Sequence, residues 1–476
     1  MEIIGSIVDY LSGVLWGYIL IYVLIGIGLY FSYKIKFIQF RYIKHMVKLL
    51  IEGTETKNGK TKISSFQAFA ISSASRVGTG NLAGVAMAIY LGGAGAVFWM
   101  WMLALVGAAS SMIENTLAQA YKVKNEDGTF RGGPAYYMEQ GLGSKKMGIL
   151  FSILIIISFG LVFNSVQANT ISNAFYSAFG LEHNIVGIGL VIVSGIVIFG
   201  GLKRIADVTQ VIFPFMALAY VSVAILVTLV NIDQIPEMFR LIFAQAFGLE
   251  QAGSGTLGYL IMQGIKRGLF SNEAGMGSTP NAGATADVSH PVKQGFIQTF
   301  GVFVDTLIIC SATAFLVIIT GATSQPDLNG IQLTQYAVST VLGQNGSIFI
   351  ALTVLLFSFT SIIGNYYYGE TNISFITESK LFLNIFRGFV LFMVMFGSVA
   401  KLSLVWNLAD VFMALMALLN IIAIFMLSKV AYALFDDYTT QLKEGKDPVF
   451  HKNSVPELKD VECWENDDNF LKIHKE

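Results

Sequence analysis

Charged side chains are scarce in this sequence: 13% of its 476 residues are Asp, Glu, Lys or Arg, where a soluble globular chain carries roughly 25%. With 54% hydrophobic residues and a mean hydropathy of +0.64, this deficit excludes an ordinary soluble fold and points to a bilayer as solvent. Net charge is also small, at −1, so no bulk electrostatic pull toward nucleic acid is implied. The only cysteines are Cys310, in an apolar run, and Cys463, in the polar tail, which excludes a disulfide framework. None of the five histidines lies in a long apolar run, and no Cys/His cluster has metal-ligand spacing. An intramembrane enzyme is therefore not expected: there is no His-Glu-x-x-His, and Ser278 has no membrane histidine as base because His290 falls in a loop.

What the chain has is apolar length. A spanning helix needs about 20 predominantly apolar residues, and eleven candidates follow at 14–33, 65–91, 94–121, 148–178, 185–200, 209–231, 253–279, 294–321, 346–369, 381–399 and 405–430. The first is too long for a signal-peptide core, and Glu2 and Asp9 precede it rather than Lys or Arg, so it is expected to stay as a span. Lys and Arg crowd alternate loops: Lys34, Lys36, Arg41, Lys44, Lys48, Lys57, Lys60 and Lys62 in one, and Lys122, Lys124, Arg131, Lys145 and Lys146 in another. Lys203, Arg204, Lys293 and the Lys-rich tail continue the alternation, while 232–252 has only Arg240 and 322–345 has none. The basic loops mark the cytoplasmic side, which predicts a multi-pass protein of the cell (inner) membrane with the N-terminus outside and the C-terminus cytoplasmic. The basic, amphipathic stretch 35–50 reads either as an interfacial helix or as a solvated linker. The polar tail from Asp436 reads as an extension without its own core.

Two spans are interrupted. Ile71-Ser-Ser-Ala-Ser-Arg-Val-Gly-Thr-Gly-Asn81 lies in the second, and Gly264-Ile-Lys-Arg-Gly-Leu-Phe-Ser-Asn-Glu-Ala-Gly-Met-Gly-Ser278 in the seventh. Each puts close-set glycines, hydroxyls and an asparagine inside a membrane-length run. Irregular backbone at that depth is tolerated only where it lines a cavity or is buried in protein, and paired broken helices in inverted repeats are a transporter device. The breaks are five spans apart. Five is odd, so the second set of five starts from the opposite side. The expectation is an all-α polytopic membrane protein with a LeuT-like 5+5 inverted repeat: 1–63 a peripheral helix and basic linker, 64–231 the first repeat, 232–430 the second, 431–476 a cytoplasmic tail. Two different breaks in one chain suit alternating access better than a channel, whose filters are usually rings of repeated elements. Gly80 and Gly84 alone would read as helix packing. The run Gly78 to Gly84 is one residue too long for a dinucleotide fingerprint and lacks a βαβ unit.

At each break, freed N–H groups can hold a carboxylate and freed carbonyls a sodium ion, with Thr79, Asn81, Ser271, Asn272 and Ser278 as further oxygen donors. Among the intramembrane ionisable residues, Arg76, Lys266 and Glu370 read as snorkelling ends of helices. Glu273, inside the second break, reads first as a support of the broken backbone, then as a ligand or proton relay; Glu114 and Asp305 are unassigned candidates. Asn164 and Gln167 in the fourth span, and Ser358, Thr360, Ser361 and Asn365 in the ninth, supply polar faces.

From about Ser64 to Lys429 the chain resembles the alanine or glycine:cation symporters, the sodium:alanine symporter family. The resemblance rests on Gly92-Gly-Ala-Gly-Ala-Val-Phe-Trp-Met-Trp101, Gly78-Thr-Gly-Asn81, Gly132-Gly-Pro-Ala-Tyr-Tyr-Met138 and Gly268-Leu-Phe-Ser-Asn-Glu-Ala-Gly-Met-Gly-Ser278. It implies uptake of small neutral amino acids driven by Na⁺, sometimes H⁺, with no obligate protein partner. It further implies substrate contacts from Gly78, Thr79 and Asn81, from Gln167, from Phe270, Ala274 and Gly275, and from Ser361 and Asn365, and sodium ligands at Ser75, Gly78, Thr360 and Ser361. Many relatives resembling alanine transporters carry tryptophan where this chain has Asn365; the smaller, polar residue implies room for glutamine beside alanine.

Overall fold

The computed structural model describes residues 8, 10–53, 63–250, 256–458 and 461–464. Glu2, Asp9, Lys57, Lys60, Lys62 and the start of the seventh expected span, 253–255, lie outside them. Among the described residues, eight helices are long and apolar enough to cross a membrane: α1 (Tyr10–Lys34), α5 (Ala96–Ala120), α7 (Lys145–Phe179), α9 (Gly201–Val230), α13 (Pro291–Ile319), α15 (Gln344–Ile376), α16 (Lys380–Val399) and α17 (Leu402–Met426). Between them lie α2 (Ile43–Glu52), α3 (Ser65–Arg76) and α4 (Gly80–Gly92). A two-stranded antiparallel ribbon, β1 (Val123–Lys124) and β2 (Phe130–Arg131), leads into α6 (Pro134–Gln140). Further helices are α8 (His183–Ile198), α10 (Ile235–Ala246), α11 (Leu257–Asn272), α12 (Pro280–Gly283), α14 (Ile331–Leu342) and α18 (Ser428–Lys443), beside a single turn at Ile38–Arg41 and short 3-10 turns.

The burial of these helices sorts them into centre and rim. About 67% of the most apolar stretch of α5, α13 and α15 is buried, against 28% for α1, α9 and α16. On α9 the bare side carries Val211, Phe215, Leu218, Ile225 and Leu229, an apolar face suited to lipid. The central helices carry the polar residues instead: Glu114 and Asn115 on α5, Asp305 and Thr306 on α13, and Ser358 through Asn365 on α15, all buried.

Helix ends follow local chemistry. Ser64 and Gln67 form a reciprocal capping box at the start of α3. Thr256 caps α11, and Pro291 stands in the first turn of α13, where its missing N–H has no helical partner to lose.

Three expectations change. Helices α10 and α14 lie in the loops 232–252 and 322–345, expected only to be poor in basic residues. They are too short to span a bilayer, so no hydropathy window marks them. The stretch 35–50 includes the helix α2, which settles it as helical over Ile43–Glu52. The tail from Asp436, expected as an extension without its own core, is packed on the bundle: Tyr438, Phe450, Val455, Leu458, Val461 and Trp464 are buried in the bundle's core cluster.

Candidate functional site

The first interruption begins where α3 stops. Val77 is extended (φ −83°, ψ 95°), and the chain re-enters a helix at Gly80. Backbone N–H groups freed there find side-chain acceptors: Gly78 N–H donates to Asn81 Oδ1 at 3.0 Å and Thr79 N–H to Gln167 Oε1 at 2.9 Å. A Cβ on Gly78 would collide with Ser361 Oγ and Gln167 Oε1, so only glycine lets α7 and α15 approach this turn. Ser361 Oγ donates to Ala74 O at 2.8 Å and also lies 3.4 Å from Val77 O and 3.0 Å from Phe357 O. Thr79 Oγ1 is 3.1 Å from Ser358 Oγ. Thr360 bonds Phe357 O of its own helix at 2.8 Å, as a membrane-embedded threonine often does.

The second interruption follows α11. Glu273 is left-handed (φ +57°), and Gly275 and Gly277 have φ of +81° and +86°, conformations glycine adopts without steric cost. Two carboxylates hold the turn. Glu114 of α5 accepts from Gly275 N–H and Gly277 N–H, each at 3.0 Å, and from Asn420 Nδ2 at 2.7 Å. Glu273 accepts from Ser278 Oγ at 2.6 Å, and its other oxygen is 3.0 Å from Ser75 Oγ of the first interruption. Glu273 thus ties the second turn to the first through serine side chains, while the freed backbone N–H groups of the second turn are held by Glu114. We expect Glu114→Ala to strand two buried N–H donors and to cost on the order of 2–4 kcal/mol. Thermal unfolding in detergent checks this; an unchanged transition in Glu114→Ala would show that the two bonds contribute nothing.

The two turns meet around one acid. Asp305 of α13, 1% exposed, accepts from Asn81 Nδ2 at 2.7 Å, from Ser271 Oγ at 2.8 Å and from Thr306 Oγ1 at 3.1 Å. No cationic side chain forms an ion pair with it among the described residues. Asparagine 365 lies at the other end of the first turn, its Oδ1 2.6 Å from Ser75 Oγ. Its Nδ2 is buried with no partner among the described residues. Phe270 lies against Gly80 and is sandwiched between Phe163 (ring centroids 4.5 Å apart) and Trp406 (4.7 Å).

Gly78, Thr79, Asn81, Gln167, Phe270, Ser361, Asn365 and Ser75 therefore gather at the junction of the two turns. Ala274 and Gly275 do not join them: Ala274 lies against Gly107 and Gly275 beside Ser110, both on α5. Asn164 also stands apart, donating to Gly160 O of its own helix at 2.9 Å. The assignment of Arg76 and Lys266 as snorkelling ends is corrected. Arg76 is 2% exposed and donates to Gln298 O at 3.1 Å; Lys266 pairs with buried Asp410 at 2.6 Å. Glu370 is also paired, with Arg387 at 3.3 Å. For Arg76 and Lys266 a partner from a helix distant in sequence, and for Glu370 one from the next helix, supplies what lipid cannot. Asp305 is the site residue that the sequence reading left without a role; a single carboxylate in an apolar run was the signal.

An apolar bundle in which two interrupted helices meet at a buried polar junction is the architecture of a secondary transporter. Residues 1–452 match the sequence profile of the sodium:alanine symporter family, and the chain belongs to that family, one of transporters and not of enzymes. It is 52% identical to the probable sodium/glutamine symporter GlnT of Bacillus subtilis, over 99% of this chain and 98% of that one. It is also 52% identical to the amino-acid carrier protein AlsT of the same organism, over 97% and 98%. Identity to the sodium/proton-dependent alanine carrier protein of Bacillus sp. PS3 is 37%, over 88% and 97%. The solved manganese transporter of Eremococcus coleocola shares the fold, with a TM-score of 0.51 at 10% identity over 83% of this chain and 85% of that one.

Proposed function

We propose that this protein is a sodium-coupled symporter that imports small neutral amino acids, glutamine and alanine among them, by alternating access. The observation that carries the reading is the convergence of both interrupted helices on Asp305: a buried acid ringed by neutral donors, beside backbone freed for a substrate carboxylate. Gly78, Thr79, Asn81, Gln167, Phe270, Ser361 and Asn365 form the substrate side, with Ala274 and Gly275 shaping the second turn from behind. Sodium is held by Ser75, Gly78, Thr360 and Ser361, where carbonyls at the end of α3 face α15, and Asp305 with Asn81, Ser271 and Thr306 provides the negative charge that draws a cation into the junction. The names of the relatives support sodium and amino-acid substrates alike.

The architecture behind this reading is eleven crossings, with the interrupted pairs α3–α4 and α11–α12 each counted once and α8 as a short span. Residues 64–231 and 232–430 are the two inverted five-helix repeats, 1–63 and 431–476 are peripheral, and the N-terminus faces out. Support comes from the five-span separation of the breaks and from the side-alternating lysines.

The test is uptake of labelled glutamine and alanine into proteoliposomes with and without an inward Na⁺ gradient at constant pH. Accumulation only with Na⁺ is expected; accumulation driven by an inward proton gradient alone would assign the coupling to H⁺. In the same assay, Asn365→Leu, similar in volume but without the amide, is expected to cut glutamine uptake roughly tenfold more than alanine uptake, because the unpartnered Nδ2 loses its hydrogen bond to the longer substrate. Equal losses for both substrates would remove Asn365 from selectivity.

A further inference from the structure

The interrupted helices end beneath a structure that the transport cycle described so far does not use. The start of α3 and the segment after α12 are joined by backbone: Asp287 N–H donates to Ile63 O at 3.1 Å, and Ile63 bridges Ala286. The end of α5 clamps the same segment. Gln119 Nε2 donates to Gly283 O at 2.6 Å and Ala286 O at 2.9 Å, and Lys122 Nζ donates to Ala286 O at 2.9 Å.

The C-terminal tail runs over this clamp and is fastened at both ends. Trp464, 6% exposed, donates from Nε1 to Gln119 O at 3.1 Å, and its ring sits 4.9 Å from Lys122 Nζ. Phe450, 5.4 Å from the Trp464 ring, donates its N–H to Ser289 O at 2.8 Å, and Ser289 Oγ returns a bond to Pro448 O at 2.9 Å. Lys293 pairs with Asp447 at 2.6 Å. Gln441 of α18 grips Val449 through both its N–H and its carbonyl at 3.0 Å each. The buried His290 ring meets Asp437 at 3.0 Å; burial holds the imidazole below its ordinary value, so this contact does not need a charged histidine.

A solvated tail would not bury a tryptophan on the end of α5 and a phenylalanine beside Ser289, on either side of the Ala286 segment that is bonded to the start of α3. We infer that residues 447–458 and 461–464 form a strap that holds the cytoplasmic ends of both interrupted helices together, and that this strap lifts for the site to open inward. The inference rests on the alternating-access reading and on the cytoplasmic placement of this face. The closed state owes part of its stability to Trp464 and Phe450, so weakening either shifts the gating equilibrium toward inward-open without altering the substrate side.

The test reads accessibility rather than uptake. Ala286→Cys is placed in a Cys463→Ser background, and inside-out membrane vesicles are treated with a membrane-impermeant maleimide. Trp464→Ala, which removes the bond from Nε1 to Gln119 O, is expected to raise the labelling rate of residue 286 roughly tenfold, the factor that the loss of one net hydrogen-bond contribution gives. Phe450→Ala, which keeps its backbone bond and loses only buried ring contacts, and a chain ending at Lys446 are expected to raise it in the same direction. Cys310 contacts Asn81 and Ser271 at the junction and is replaced by Ala in the same background, and an unfolding transition in detergent that stays above the assay temperature separates gate opening from general unfolding. If the shortened chain is lost from the membrane, the two point variants decide. An unchanged rate in both, or an unfolding transition that falls to the assay temperature, overturns the strap. Failure of the symport reading would appear separately, as absent uptake by the parent protein.

Discussion

Asp305→Asn is expected to lower sodium-driven uptake by at least about a hundredfold while the protein remains folded. The side chain is 1% exposed, and its oxygens accept from Asn81, Ser271 and Thr306, all neutral donors. Such donors lessen the cost of a carboxylate in low dielectric but do not cancel it. A cation entering the junction removes that cost, which makes its binding favourable there. Asparagine keeps the volume and one carbonyl acceptor, so the packing of α13 against both turns survives, but the charge is gone. The discriminating measurement is uptake as a function of Na⁺ concentration. A half-saturating Na⁺ concentration displaced far upward, with uptake partly restored at high Na⁺, is the expected outcome; an unchanged Na⁺ dependence would assign Asp305 to structure alone.

The interruptions themselves were legible, and the reason is local. Gly275 and Gly277 have backbone conformations that side chains disfavour, and Gly78 sits where α7 and α15 leave no room for a Cβ. Such requirements write glycine into the sequence at short spacing, where reading along the chain finds them. Gln167 and Asn365 were found because an amide in an apolar span is conspicuous. The partner of Asp305 was not legible: Asn81 stands 224 positions away, and no periodicity links two helices so far apart in the chain. The same distance hid the fate of Arg76 and Lys266, each of which is compatible with a helix end when only its neighbours are read.

The tail illustrates the opposite failure. Its composition is polar, and its apolar residues, Phe450, Val455, Leu458, Val461 and Trp464, follow neither the helical nor the strand period. They are buried all the same, because they pack against the core of the bundle and one another rather than on one face of a regular element. Side-chain burial without periodicity leaves no trace in hydropathy.

Asp410→Ala is expected to be among the most destabilising single changes in the molecule. Asp410 is fully buried and pairs with two cations: Lys266 Nζ at 2.6 Å, and Arg267 through both of its terminal nitrogens at 3.0 and 3.1 Å. Counted by themselves, these three groups carry a net charge of +1. Removing the acid raises that to +2 with neither cation in water, and breaking a buried pair in this way costs about 3–5 kcal/mol. Stacking of Arg267 on Trp406, 4.3 Å away, offsets only part of it, since a desolvated cation–π contact contributes about 2 kcal/mol. Lys266→Met changes the count the other way. It leaves a neutral, bidentate Arg267–Asp410 pair and an apolar side chain of similar length, so its cost is expected to stay below about 1.5 kcal/mol. Thermal unfolding of the two variants in detergent tests the charge count directly. A large downward shift for Asp410→Ala beside a small one for Lys266→Met is the expected result; equal shifts would mean that the cluster is held by shape and hydrogen bonds, and that balancing its charge is not what keeps α11 on α17.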